Sequence, residues 1–208
     1  LVGPLRRLVE RVVNHSAFAL QVALRYRHGE GLRDRLRRAI GTGAAGMSYR
    51  EKGEYFRLLG QAVCSGVASF EYGVWDYFDD DAKARGEFKT WADGLEGKEA
   101  RRTPAPLPPP GGYRDAAEGL RYMLFTVALL MRQGSNSDRR VFAAQRDLAG
   151  QALWTRATFA NLVGVLGTMS CAGIVSDVVY LIPGSDPAFS LTAEDLKHPQ
   201  FHYLRPLG

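Results

Sequence analysis

The 208-residue sequence has little of several things that would narrow its function. It has two cysteines, Cys64 and Cys171, too few for a disulfide framework and with no CxxC pair. Each sits in an apolar helical pattern, where a free thiol behaves as a small hydrophobe, and a reducing compartment is the default expectation. No apolar run reaches the roughly 20 residues of a membrane span; the longest, Tyr122–Met131, has ten. No leader peptide is visible, and since the chain opens on Leu1 rather than Met, nothing follows from that. Histidine is scarce: His15, His28, His198 and His202. His198 and His202 have i, i+4 spacing, but Pro199 between them disfavours the regular helix that would aim both at a metal. The Gly41–Gly46 run lacks the lysine of a P-loop and the spacing of a dinucleotide fold. Ser170-Cys171 has no GxSxG setting. No catalytic, cofactor-binding or metal-binding residue is therefore assigned.

Lysine is missing from the first 50 residues, which carry ten arginines against Glu10, Glu30 and Asp34. That quarter has a net charge of +7 in a chain of net charge +5. Arg25, Arg27, Arg33, Arg35, Arg37 and Arg38 lie across a strand exit, a turn and a helix. The sharp reading is one surface docking an acidic partner or an anionic headgroup layer; the plain one is a solvated helix face. Tyr72, Trp75, Tyr77 and Phe78 form an aromatic cluster beside Asp79-Asp80-Asp81. Tyr72 and Trp75 join the arginines as candidate partner-binding residues, with burial in the core as the plain alternative. The acidic triplet reads as a helix start. Asp177, among apolar strand residues, is expected to point outward or to pair with an arginine.

Periodicity predicts a helical arm within residues 1–16, over Pro4–Val13, and one α+β domain over residues 17–208. Phe18–Tyr26 alternates as a strand with one strongly buried face. Leu32–Ile40 repeats every fourth residue as a helix. Ser48-Tyr-Arg-Glu51 is a capping box opening a long central helix to about Phe70. A further helix follows the acidic triplet to about Glu99, burying Phe88, Trp91 and Leu95. Thr103–Gly112, with five prolines, reads as a stiff connector. Leu120–Met131 is apolar on both alternating sets, which suits a strand covered on both sides, with a buried helix as the alternative that pattern leaves open. Gln133–Arg140 reads as polar loop and Val141–Gln151 is ambiguous. Ala157–Cys171 is helical, Ile174–Ile182 a strand, and Thr192 caps a last short helix. Strand, helix, strand implies a right-handed crossover between parallel neighbours. The expected fold is α+β, a helix-rich N-terminal half with a small mixed sheet of about three strands (Ala17–Tyr26, Leu120–Met131, Ile174–Ile182) and a single core.

In the second half, RYMLFTVALLMR is followed by LVGVLGTMS, then SDVVYLIPGSDPAFSLTAEDL and FHYLRPL. The first half contains ALQVALRYRHGEGLRDRLRRAI, ASFEYGVWDYF and GEFKTWADGLEGKEARR. This layout resembles domain-of-unknown-function family 1517, the fluctuating-light-acclimation type of chloroplasts and cyanobacteria. The resemblance covers about Ala17–Leu207 and departs at Val141–Gln151 and in the arginine-rich segment. It implies a soluble domain held at a thylakoid or envelope membrane, on the stromal side in a chloroplast, with a bacterial cytoplasm as the alternative. It implies no catalytic residues. The expected function is a non-enzymatic regulatory or assembly protein at a photosynthetic membrane, whose partner is a membrane-associated complex or the anionic membrane surface. The alternatives are an enzyme with an unrecognised site, or a basic module binding anionic lipid or nucleic acid.

Overall fold

A strand of alternating large and small side chains sets the architecture. In β1 (His15–Tyr26), Phe18, Leu20, Val22 and Leu24 point to one face, and Ala17, Ala19, Gln21 and Ala23 to the other. The computed structural model describes residues 13–27, 31–100, 120–182 and 190–208, with only the backbone at 94–100. The expected arm helix, apart from Val13, the proline-rich connector and Leu95 lie outside the described residues and side chains.

β1 is flanked on both sides. β2 (Phe70–Phe78) and β3 (Arg121–Arg132) pair with it antiparallel, β4 (Ile174–Ile182) pairs with β3, and the two-residue β5 (Arg205–Pro206) pairs with β2. The order is β4-β3-β1-β2-β5. The fold is thus α+β, but the expectation of a small mixed sheet of about three strands under a helix-rich half is wrong. The sheet has five strands, all antiparallel, and six α-helices are distributed along the described chain.

Three particular expectations fail for physical reasons. α2 (Tyr49–Cys64) starts at the Ser48 capping box as predicted but stops six residues short of Phe70. The stripe Phe56, Leu59, Val63 continues by coincidence into Val67 and Phe70, which belong to a 3-10 turn and to β2. The parallel crossover fails because two helices, not one, join β3 to β4. α4 (Asn136–Gln145) occupies part of the expected polar loop, and with α5 (Arg156–Val165) it carries the chain out and back, so β4 begins opposite the end of β3, with Ile174 facing Met131. β1, finally, is buried on both faces because it is a central strand of a sheet covered on both sides.

On the first face, β1, β3 and α1 (Leu32–Gly41), α2 and α5 share the main apolar cluster, built around Leu36, Phe56, Leu59, Phe125 and Phe159. Gly60 lets α2 approach α5 closely, since a Cβ there would lie 3.3 Å from the Val163 carbonyl oxygen. The opposite face is lined by small residues and carries two lesser clusters in place of one core. At one end α3 (Asp81–Ala100) sets Ala84 and Phe88 against Ala17 and Leu130. At the other, Phe201, Leu204 and α6 (Ala193–Leu196) cover Ala23 and Leu124. Between these two covers the second face is left partly open.

Candidate functional site

Two places carry chemistry: the basic end of β1 with α1, and the open part of the second face. The structure divides the six arginines. Arg33 is turned inward, 9% exposed, with its guanidinium 3.2 Å from the Tyr26 hydroxyl oxygen. Arg25 forms an ion pair with Glu71 at 2.8 Å, and Glu71 also accepts from the Tyr122 hydroxyl. Arg27 is exposed and engaged. The remaining three lie on α1: Arg35 and Arg38 are exposed one turn apart, and Arg37 is half-buried beside them. These three form no salt bridge among the described residues. Leu32 and Leu36 anchor the opposite stripe of the helix in the main core. Tyr72 and Trp75 alternate to opposite faces of β2. Tyr72 packs in the cluster around Phe201, whereas Trp75 packs against the main core with its indole N–H toward the Leu153 carbonyl.

The second-face opening is a cleft of about 320 Å³ whose lining includes Gln21, Asp76, Glu87, Trp91, Tyr180 and Tyr203. Ala19 and Ala128 are paired across the centre of the sheet. The base is a chain of committed hydrogen bonds. The Tyr203 hydroxyl donates to Gln21 Oε1 at 2.7 Å, and Gln21 Nε2 donates to Thr126 Oγ1 at 2.6 Å. Tyr180 stands opposite Thr126 on the next strand. Gln21 is only 1% exposed, so it holds the strand row Tyr180–Thr126–Gln21 in one arrangement. Burial pushes the Tyr203 hydroxyl up to about 12.

Asp76 and Glu87 face the cleft from β2 and α3. Burial, and then the charge of Glu87, push the Asp76 carboxyl above its ordinary value, while Lys83 pulls it down. A carboxyl raised in the folded state ionises first in the unfolded chain, so folding loses stability as the pH rises from the unfolded value through the folded one. Asp76→Asn is therefore expected to raise the melting temperature at pH 7. The gain is small because Asp76 is only half-buried, about 1–2 °C. Below pH 3 the difference is expected to vanish, which thermal unfolding at both pH values checks.

The other singled-out residues have local explanations. Asp177 pairs with Lys52 across a second, smaller opening of about 240 Å³, tying α2 to β4. Burial and then Asp177 push the Tyr55 hydroxyl there up to about 12. Both cysteines are free, and burial raises both thiols. The acidic triplet starts α3: Asp80 accepts from the Lys83 backbone N–H, and Asp81 from the His15 backbone and from Arg85. His198 and His202 flank a 3-10 turn at Pro199 and bond its backbone. Among the described residues no group of three or more His, Cys, Asp or Glu is placed to hold a metal ion.

Sequence reasoning missed the cleft altogether, because its lining comes from β1, β2, α3, β4 and the C-terminal segment. It also missed a buried carboxylate that accepts three hydrogen bonds. Asp138, 5% exposed, accepts at 2.6 Å from Ser16, from Tyr77 and from the Gly134 backbone N–H. The signal was present: Ser135-Asn-Ser-Asp138 has the S-x-x-D spacing of a helix start, and Ser135 does cap α4. Compared with known protein families, with curated proteins and with solved structures, the chain finds no match in any of the three.

Proposed function

We propose that the chain is a non-enzymatic regulatory or assembly protein that docks through α1 on an anionic membrane surface. The observation that carries the reading is that Arg35, Arg37 and Arg38, on a short helix whose other stripe is locked in the core, form no salt bridge among the described residues. Guanidinium groups suit bidentate contact with phosphate. Each basic side chain near an anionic bilayer contributes about 1 kcal/mol, so three give about 3 kcal/mol, enough for reversible contact but short of stable anchoring. Arg6, Arg7 and Arg11, outside the described residues, add positive charge to the same quarter of the sequence. The photosynthetic setting, thylakoid or envelope membrane reached from the chloroplast stroma, is proposed on the resemblance to family 1517 alone.

Co-sedimentation of the full chain with phosphatidylglycerol vesicles is the test. The bound fraction is expected to fall several-fold between about 50 mM and about 300 mM salt, as the Debye length shortens. Arg35→Gln, Arg37→Gln and Arg38→Gln together are expected to remove most of the binding at low salt. Equal binding to neutral phosphatidylcholine vesicles, or binding insensitive to salt, would overturn the reading. Displacement from the vesicles by RNA but not by an acidic peptide would move it to nucleic-acid binding.

A further inference from the structure

The second-face cleft has a composition that membrane docking does not use. Among the described residues its lining holds two carboxylates, Asp76 and Glu87, three aromatic rings, Trp91, Tyr180 and Tyr203, and no Lys or Arg. Neither carboxylate forms a salt bridge among the described residues, although eight other ion pairs are formed there. Lys83, which acts on Asp76, sits with its ammonium 4.6 Å from the centre of the Phe78 ring. The volume, about 320 Å³, is at the small end of ligand pockets.

We propose that this cleft binds a small organic ammonium. Two neighbouring carboxylates that repel each other are relieved by a cation placed between them, and a neutral ligand gives no such relief. The faces of Trp and Tyr rings attract a cation further, most strongly where water is excluded. The buried row Tyr203–Gln21–Thr126 spends its polar groups on itself, with no side-chain nitrogen or oxygen left without a partner. It therefore acts as a fixed base that holds Tyr203 in place, while charge recognition falls to Asp76 and Glu87. An anion is excluded by the two carboxylates. The site lies on β1, β2, α3, β4 and the C-terminal segment and owes nothing to α1, so it stands independently of the membrane reading.

Isothermal titration of the full chain with three probes tests the proposal: choline, putrescine and 3,3-dimethyl-1-butanol, the uncharged isostere of choline. Choline or putrescine is expected to bind saturably at millimolar or lower concentration. If choline is the better probe the ring faces dominate; if putrescine is, the carboxylates do. The neutral isostere is expected to bind at least about tenfold more weakly than choline, the size of one desolvated cation–π contact. Glu87→Gln, on the half-buried cleft side of α3, is expected to weaken ammonium binding about tenfold while leaving the far-ultraviolet circular dichroism unchanged. Trp91→Leu is a second variant, expected to weaken choline more than putrescine. Chemical-shift changes at the Gln21 side-chain amide and the Trp91 indole N–H locate the ligand. No saturable binding of either ammonium, an isostere that binds as well as choline, binding untouched by both variants, or shifts confined to other residues would each overturn the proposal.

Discussion

Asp138→Ala is expected to be among the most destabilising single substitutions in this chain, lowering stability by about 3–5 kcal/mol and the melting temperature by about 10 °C. The carboxylate joins three parts of the fold. The Ser16 hydroxyl on β1 and the Tyr77 hydroxyl on β2 donate to Oδ1, and the Gly134 backbone N–H before α4 donates to Oδ2. Ser16 is fully buried. Removing the acceptor leaves these donors without a partner, and a buried unsatisfied donor costs about 1–3 kcal/mol. The Tyr77 hydroxyl is pushed up by burial and by Asp138, so it remains a donor throughout the accessible pH range. Asp138→Asn separates charge from geometry. Its carbonyl oxygen still accepts from Ser16 and Tyr77, but its amide nitrogen meets the Gly134 N–H as a second donor. About half of the alanine effect is expected. Equal losses in the two variants would assign the stabilisation to the negative charge alone. Urea unfolding of the parent and both variants, with slopes compared, measures this.

Gly73→Ala is expected to cost about 1–3 kcal/mol, although it adds one methyl group. Gly73 sits in β2 opposite Val22, on the face toward the main core. A Cβ there would lie 2.6 Å from Phe159 Cζ and closer still to Cε1. Phe159 is fully buried on α5 within the same cluster as Phe56, Leu59 and Phe125, so its ring has no free space to enter. The strain must pass to α5 or to the sheet. Phe159→Leu alone is expected to cost about 1–1.5 kcal/mol by lost packing. In Gly73→Ala/Phe159→Leu the two volume changes offset, and the double variant is expected to be more stable than the sum of the singles by about 1 kcal/mol. Strict additivity would place Phe159 elsewhere than against β2.

Both residues show what could be read in advance. β3 was legible, and so were its two faces, because the run Tyr122–Met131 is rich in branched and aromatic residues on both alternating sets, although pattern alone left a buried helix open. The Ser48 and Thr192 capping boxes were legible because they act within four residues. β2 was not, because Val67 and Phe70 fall by chance on the helical stripe of α2, and tertiary pairing with β1 outweighs that spacing. In hindsight FEYGVWDYF, rich in aromatic residues and ended by Asp79, has strand composition. The direction of β4 followed from one missed helix, since adding α4 to α5 turns a crossover into a return. The arginine count located α1 as a basic helix, but only the fold separates Arg33, spent on Tyr26, and Arg25, spent on Glu71, from Arg35, Arg37 and Arg38. The cleft has no local signature, because Gln21 and Tyr203 stand 182 residues apart.

Hydrogen exchange of the full chain on phosphatidylglycerol vesicles tests the docking surface most directly. α1 is ten residues long, short enough for its backbone amides to open often in the free protein. Bound through Arg35, Arg37 and Arg38, it is expected to gain protection over Leu32–Gly41, with α3 and β4 unchanged and the gain lost at high salt. Protection that leaves α1 unchanged and appears instead on α3 or the C-terminal segment would contradict the account.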